Sequence, residues 1–293
     1  MAGIGFIGLG NMGLPMAANL VKAGHAVTGF DAAPQARQKA EEQGIAVAAS
    51  AAEAVGGKDF IVTMLPNGAI SLKVLAEIAP AASKGAIIVD SSTIDVASAR
   101  KAHEIATAAG LGFLDAPVSG GVGGAAAGTL TFMIGGRGAD FEKARPIIDV
   151  MAGRMVLCGE GGAGQAAKIC NNMLLGISMI GACEAFALAE KLGLSQQSLF
   201  DVVSTSSGSC WSVNTYCPVP GVGPKSPADN EYKPGFAAAL MLKDLGLSQE
   251  AADSVGAATP MGARALEIYD TFVKAGGADT DFSGIIRFLD KIK

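Results

Sequence analysis

Histidine is scarce, with two in 293 residues, and that narrows the catalytic options from the start. His25 follows the helix-stopping Gly24 and His103 falls inside a helical segment, so neither lies at a strand end where a cofactor would meet it. Five cysteines make an odd number, and none are spaced as Cys-x-x-Cys, so neither a disulfide framework nor a metal site is expected. Reduced thiols in a cytoplasm are the simpler reading. Basic blocks are also missing. The net charge of -5 is spread over 27 acidic and 22 basic residues, which leaves no footprint for nucleic acid and points to a small-molecule partner. The first apolar run begins at Gly3 with no basic leader before it, which disfavours export or organelle import. One stretch, Met173 to Ala189, carries a single charge, Glu184, and approaches membrane-spanning length. Its small residues (Gly176, Gly181, Ala182, Ala185, Ala189) suit a helix enclosed by other helices, so a buried core helix is expected and a membrane is not.

What the chain has in plenty is glycine, 40 residues, within a composition that is half hydrophobic. That suits close backbone packing in two ordinary domains. Up to about residue 160, short β-rich runs alternate with Ala-rich amphipathic segments, the pattern of an α/β Rossmann-like sheet doubly wound by helices. Expected strands are Gly3–Leu9, Ala26–Asp31, Asp59–Leu65, Ala86–Asp90, Gly112–Asp115, Leu130–Gly135 and Met155–Cys158. Beyond the turn Gly159-Glu160-Gly161-Gly162, strand signals nearly vanish and an all-α domain follows. The boundaries read as 1–163 and 164–293. A long helix from about Gly164 to Leu192, roughly 40 Å at 1.5 Å per residue, opens the second domain. Cys217 to Pro234 holds five of the twelve prolines and must be an ordered loop or a flexible lid. The phrase Leu-Gly-Leu-Ser-Gln occurs from Leu192 and again from Leu245, each read as a helix stop followed by a Ser N-cap.

Gly8-Leu9-Gly10-Asn11-Met12-Gly13 follows the first strand and opens a helix, the context in which Gly-x-Gly-x-x-Gly binds a dinucleotide. Gly8 would make the turn, Gly10 admit the pyrophosphate and Gly13 let helix and strand pack, with helix N–H groups facing the anion. Asp31 ends the second strand, where a carboxylate accepts hydrogen bonds from adenosine ribose hydroxyls and repels a 2′-phosphate. NAD is therefore expected over NADP, although Arg37 could compensate. Leu65-Pro66-Asn67 and Ser91-Ser92-Thr93 follow later strands, on the side where such sheets bind ligands. The Thr93 hydroxyl could reach the nicotinamide or its ribose, or could equally cap the next helix.

With histidine set aside, Lys168 is the candidate proton carrier, with Asn171 and Asn172 at i+3 and i+4 on the same helix face. A partly desolvated lysine loses charge more readily, so it can act as base for alcohol oxidation and acid for the reverse reduction. A solvated helix start would explain the same residues. Asp115-Ala116-Pro117-Val118-Ser119-Gly120-Gly121 ends in consecutive glycine N–H groups that, with the Ser119 hydroxyl, could cradle a carboxylate. A flexible surface turn is the alternative. Lys243 and Asp244 read by default as a solvated ion pair.

Four stretches in order, GFIGLGNMGLPMAANL, DAPVSGGVGGAAAGTL, GQAAKICNN and LMLKDLGL, resemble the β-hydroxyacid dehydrogenase family over essentially the whole chain. The resemblance implies an NAD-dependent enzyme acting on a small 3-hydroxy acid, with Lys168 as the catalytic lysine. It implies that Ser119, Gly120, Gly121 and Asn172 hold substrate, and that Leu65, Pro66, Thr93 and Lys243 help hold the cofactor. Within the family, the stretch from Ser207 to Phe236 is similar to members that take a methyl-branched substrate, with Trp211 and Phe236 walling the pocket; Lys225 and Lys233 depart from that pattern. Members acting on serine, tartronate semialdehyde or glyoxylate-type substrates stay open, as does a cofactor-binding sensor without catalysis. The expected arrangement puts NAD on the first domain, substrate in a cleft between the two, and the apolar α domain at a homodimer or homotetramer interface.

Overall fold

Runs of β-branched and aliphatic residues form one nine-stranded sheet in the computed structural model, which describes residues 1–291. The strands are β1 (Gly3–Ile7), β2 (Ala26–Phe30), β3 (Ala46–Val47), β4 (Phe60–Thr63), β5 (Ile87–Asp90), β6 (Gly112–Asp115), β7 (Val118–Ser119), β8 (Leu130–Gly135) and β9 (Ala152–Gly159). They lie in the order β3-β2-β1-β4-β5-β6-β8-β7, with β9 paired to β8. Successive side chains enter opposite cores, as a period of two requires. Phe6, Val62, Ile87 and Val89 join Met16, Leu20, Phe132 and Phe141 on one face, whereas Ile7, Ile61 and Ile88 join Ala54, Ile78 and Phe113 on the other. Covered on both faces, β5 is buried at all four positions. The doubly wound reading of the alternating pattern therefore holds.

The sheet is not wholly parallel. β8 runs antiparallel to both β6 and β7, because only residues 120–129 connect β7 to β8 and a parallel crossover needs a dozen or more. β3 and β7, two residues each, carry no readable periodicity, and β9 begins earlier than expected, at Ala152, with register shifts against β8.

The chain divides into two compact units, residues 1–168 and residues from Ile169 onward; the last two residues of the expected second domain, 292 and 293, lie outside the described residues. The second unit is helical, with Gln196–Val203, Trp211–Asn214, Ala238–Val255, Pro260–Phe272 and a final 3-10 turn, Phe282–Lys291. Its core gathers Met179, Cys183, Met241, Leu245, Tyr269 and Phe282. The helix Ala163–Lys191 is the one helix among the described residues that is long and apolar enough to cross a membrane by length and composition. Only 44% of its most apolar window is buried, less than a core helix would show.

Two local readings separate. Ser195 caps Gln196–Val203 by accepting from the Ser198 N–H at 3.1 Å, but Ser248 lies inside Ala238–Val255 and donates to the Leu245 carbonyl instead. The second Leu-Gly-Leu-Ser-Gln is thus mid-helix, its Gly246 tolerated by surrounding helix formers. The proline-rich segment takes the ordered option. Asp229 accepts from the Gly221 and Ser226 N–H groups, Ser226 donates to the Cys217 carbonyl, and Tyr232 donates to the Pro218 carbonyl. Those backbone N–H groups hold the Asp229 carboxyl below the usual range.

Asp90, at the end of β5, yields a prediction. One carboxylate oxygen accepts from the Thr63 hydroxyl and from the Ser92 hydroxyl and N–H, yet burial still raises its pKa above the ordinary value. A carboxyl raised on folding favours the native state below its unfolded pKa, and that contribution is lost as pH rises through the folded value. Asp90→Asn keeps one acceptor oxygen and removes the titration. Its melting temperature relative to the parent should therefore be higher at pH 7.5 than at pH 4, measured by thermal melts at both; a pH-independent difference would contradict this linkage.

Candidate active site

The dinucleotide turn is built by backbone demands. Gly8 has a φ of 95° and donates its N–H to the Phe30 carbonyl at 2.9 Å, and a Cβ added to Gly13 would collide with the Gly8 carbonyl oxygen. Gly10 and Asn11 are exposed and Met12 half-buried, and the helix Gly13–Lys22 starts with no side-chain cap; the Leu14 N–H already donates to the Gly10 carbonyl at 3.0 Å and Pro15 has no N–H, so the backbone groups placed to meet an anion are those of the turn from Gly10 to Gly13. Asp31 locks the turn to β2, its carboxylate accepting from the Leu9 and Ala33 N–H groups at 2.8 Å each. Each oxygen retains a lone pair for a ribose hydroxyl, so the residues present fit an NAD molecule. One nitrogen of the Arg37 guanidinium is tied to the same turn, donating to the Asp31 carbonyl at 2.6 Å, and the group lies 5.8 Å from the Phe30 ring centre.

Beyond β4 and β5, the Leu65 N–H donates to the Ser92 hydroxyl at 2.8 Å, tying the Leu65-Pro66 loop to the Ser92-Thr93 loop. Asp95, not Thr93, caps Val96–Ala108 by accepting from the Ser98 N–H at 2.6 Å. The capping role is therefore already filled, and Thr93 sits half-buried between two anchored neighbours.

Lys168 is 7% exposed and its Nζ donates to the Val118 carbonyl at 2.9 Å. A solvated helix start is thereby excluded. Val118 directly precedes the expected carboxylate cradle, in which Ser119 is half-buried at the end of β7 and Gly120 and Gly121 have φ of 134° and 62°. Ser119 pairs with Thr131 of β8, so this is a strand end rather than a loose surface turn.

In the second unit, Asn172 is 2% exposed and donates to Asp244, itself buried, whereas Asn171 is exposed and donates to the Asn172 oxygen at 2.9 Å. Asn171, expected on the same helix face as Lys168, lies at the exposed edge of that face, because the helix turns a further 100° between the two residues. Lys243 and Asp244 are not a solvated pair. Burial holds the Lys243 amine below the usual range, with the Asp244 charge opposing. Trp211 is 49% exposed and stacks on Tyr216, with centroids 4.8 Å apart. Tyr216 contacts Phe282, and Phe236 meets Phe282 edge-on at 5.7 Å. Trp211 thus lies outside the core, on an aromatic cluster that Phe236 also joins.

Two buried polar residues escaped the sequence reading. Gln165 is fully buried; its side-chain oxygen accepts from the Ile94 N–H at 3.1 Å and its amide donates to the Ser92 carbonyl at 2.7 Å. Asp115, also fully buried, accepts from the Gly162 and Gln165 N–H groups and lies 2.8 Å from His103 Nε2. The available signal was position: Gln165 stands three residues before Lys168, and Asp115 closes a strand otherwise apolar.

Residues 3–159 match the family model described as the NAD binding domain of 6-phosphogluconate dehydrogenase. Residues 162–289 match the one described as NAD-binding of NADP-dependent 3-hydroxyisobutyrate dehydrogenase. The chain is 53% identical over 289 residues to a probable 3-hydroxyisobutyrate dehydrogenase of Mycobacterium tuberculosis, covering 99% of this chain and 98% of that protein. It is 46% identical to an NAD-dependent L-serine dehydrogenase of Pseudomonas aeruginosa, covering 99% of this chain and 98% of that one. The solved structure of the Mycobacterium tuberculosis 3-hydroxyisobutyrate dehydrogenase with L-serine superposes with a TM-score of 0.96 and covers 99% of both chains.

Proposed function

This chain belongs to the β-hydroxyacid dehydrogenase family as an NAD-dependent enzyme, and from that premise we propose that it oxidises 3-hydroxyisobutyrate to methylmalonate semialdehyde, a step of valine breakdown, with Lys168 as the proton acceptor. What supports the reading most is the buried Lys168 amine, held on the carbonyl of Val118 immediately before Ser119-Gly120-Gly121. NAD, when bound, supplies the hydride acceptor. The neutral amine keeps an N–H on Val118 while its lone pair takes the hydroxyl proton; in reduction the ammonium returns it. Ser119, Gly120 and Gly121 bind the substrate carboxylate, and Asn172, braced by Asp244, orients the substrate. Trp211 and Phe236 wall the methyl branch. Gly8, Gly10, Asn11, Met12, Gly13, Asp31, Leu65, Pro66, Thr93 and Lys243 hold the cofactor. We further place the enzyme in the cytoplasm, and as a homodimer or homotetramer; the well-exposed Leu174, Leu188 and Val202 of the helical unit support the self-association.

L-serine is the second reading, favoured by the name of the Pseudomonas relative and by the ligand in the mycobacterial structure. Initial rates across 3-hydroxyisobutyrate, L-serine and glycerate, each with NAD and NADP, separate the two. The highest kcat/KM should fall to 3-hydroxyisobutyrate with NAD; a higher value for serine would overturn the substrate assignment. In the same assay, Asp31→Ser should cut the preference for NAD over NADP by at least about tenfold, because the carboxylate that meets the ribose and repels a 2′-phosphate is gone.

A further inference from the structure

Three buried contacts, spaced three residues apart, fasten the start of the helix Ala163–Lys191 to the end of β6, the loop after β5 and the beginning of β7. Gly162 donates to the Asp115 carboxylate at the end of β6, Gln165 holds the loop after β5, and Lys168 donates to Val118 of β7. The middle contact differs from the others. The Gln165 side chain grips the peptide groups on both sides of Thr93, accepting from Ile94 N–H and donating to Ser92 carbonyl, while its own N–H is fixed by Asp115 at 3.0 Å. Both the oxygen and the nitrogen of its amide have protein partners, in a side chain with no exposure.

Resting on the proposed role of Lys168, we infer that Gln165 is a positioning residue that sets the distance between the Thr93 loop and the Lys168 amine. A side chain buried this fully, with both amide ends committed to the residues flanking Thr93, is not needed to start a helix, since Asp115 already accepts from Gly162 and Gln165 N–H groups there. What Gln165 adds is registry between the Thr93 loop and the helix turn that carries Lys168, through its bonds to Ser92 and Ile94. Loss of that registry displaces the proton acceptor relative to the hydride acceptor. Misplacement of about 1 Å lowers turnover by up to roughly 100-fold without removing any reacting group.

The test is Gln165→Met, which keeps length and apolar volume but deletes both amide bonds, with Lys168→Ala assayed in parallel. In the apo protein, hydrogen exchange at the Ile94 amide should accelerate at least about tenfold, because its acceptor is gone. In the holoenzyme, kcat should fall about tenfold or more with less than about threefold change in the KM of the hydroxy acid, and the deuterium isotope effect on kcat should rise. A structural role alone would lower the active fraction and leave KM and the isotope effect of the remaining enzyme as in the parent. Gln165→Glu, which can still accept from Ile94 N–H, should recover part of the loss. Unchanged kcat and isotope effect in Gln165→Met, beside an inactive Lys168→Ala, overturns the positioning role alone; full turnover by Lys168→Ala overturns the underlying catalytic reading.

Discussion

Lys168→Ala should lower kcat for oxidation of the 3-hydroxy acid by at least ~100-fold while leaving the Kd for NAD within a few-fold of the parent. The asymmetry follows from where the groups lie. The Gly8 to Gly13 turn and Asp31 are locked to one another through Leu9 and Phe30, with no contribution from the lysine. Lys168 instead reaches Val118, beside the proposed carboxylate cradle. Removing the amine leaves the buried Val118 carbonyl without that donor, a loss of about 1–3 kcal/mol, so a thermal melt belongs beside the kinetics to show that the variant is folded at the assay temperature. The pH profile carries the sign. Oxidation by the parent should rise with pH as the amine loses its proton, reduction should fall, and the residual rate of Lys168→Ala should lose both dependences. A cofactor-binding sensor would bind NAD and show no turnover to lose.

Gly13→Val should abolish measurable NAD binding and lower stability by about 3 kcal/mol, near the upper end of overpacking costs. Its first added carbon would overlap the Gly8 carbonyl oxygen and crowd the Phe6 ring, and Gly8 cannot retreat, because its φ of 95° and its bond to Phe30 already fix the turn. The contrast is Gly10→Ala. No heavy atom lies within 4 Å of an added Cβ there, so the melting temperature of the apo protein should hardly move while NAD affinity falls at least about tenfold, the methyl intruding where the pyrophosphate approaches. Calorimetric titration with NAD and a thermal melt check each variant. If Gly13→Val binds NAD like the parent, helix and strand do not need the close approach assigned to that glycine.

Much of the sheet was legible because strands buried on both faces read as short apolar runs set between Ala-rich helical segments: Phe6 and Ile7, or Ile61 and Val62, are adjacent apolar residues that enter opposite cores. The antiparallel setting of β8 was not, because an apolar run reads the same for either direction and only the short link after β7 decides it. β3 and β7 are formed by pairing with a neighbour rather than by any pattern of their own. At the candidate site, Lys168 was singled out by elimination of histidine and by family resemblance, while spacing alone could not distinguish it from a solvated lysine. Its burial is tertiary, produced by strands 50 residues upstream. Gln165 was hidden for the same reason: its partners, Ser92 and Ile94, lie more than 70 residues away. Asn171 misled because two adjacent polar residues share a helix face only approximately, and here the helix buries one and exposes the other.

A crystal structure of the ternary complex with NAD and a 3-hydroxy acid tests the proton-transfer role most directly. The Lys168 Nζ should lie about 3 Å from the oxygen on C3 of the substrate, or one water away, with its contact to Val118 kept or exchanged. An amine that remains on Val118 with the alcohol oxygen beyond its reach, and no bridging water, would contradict it.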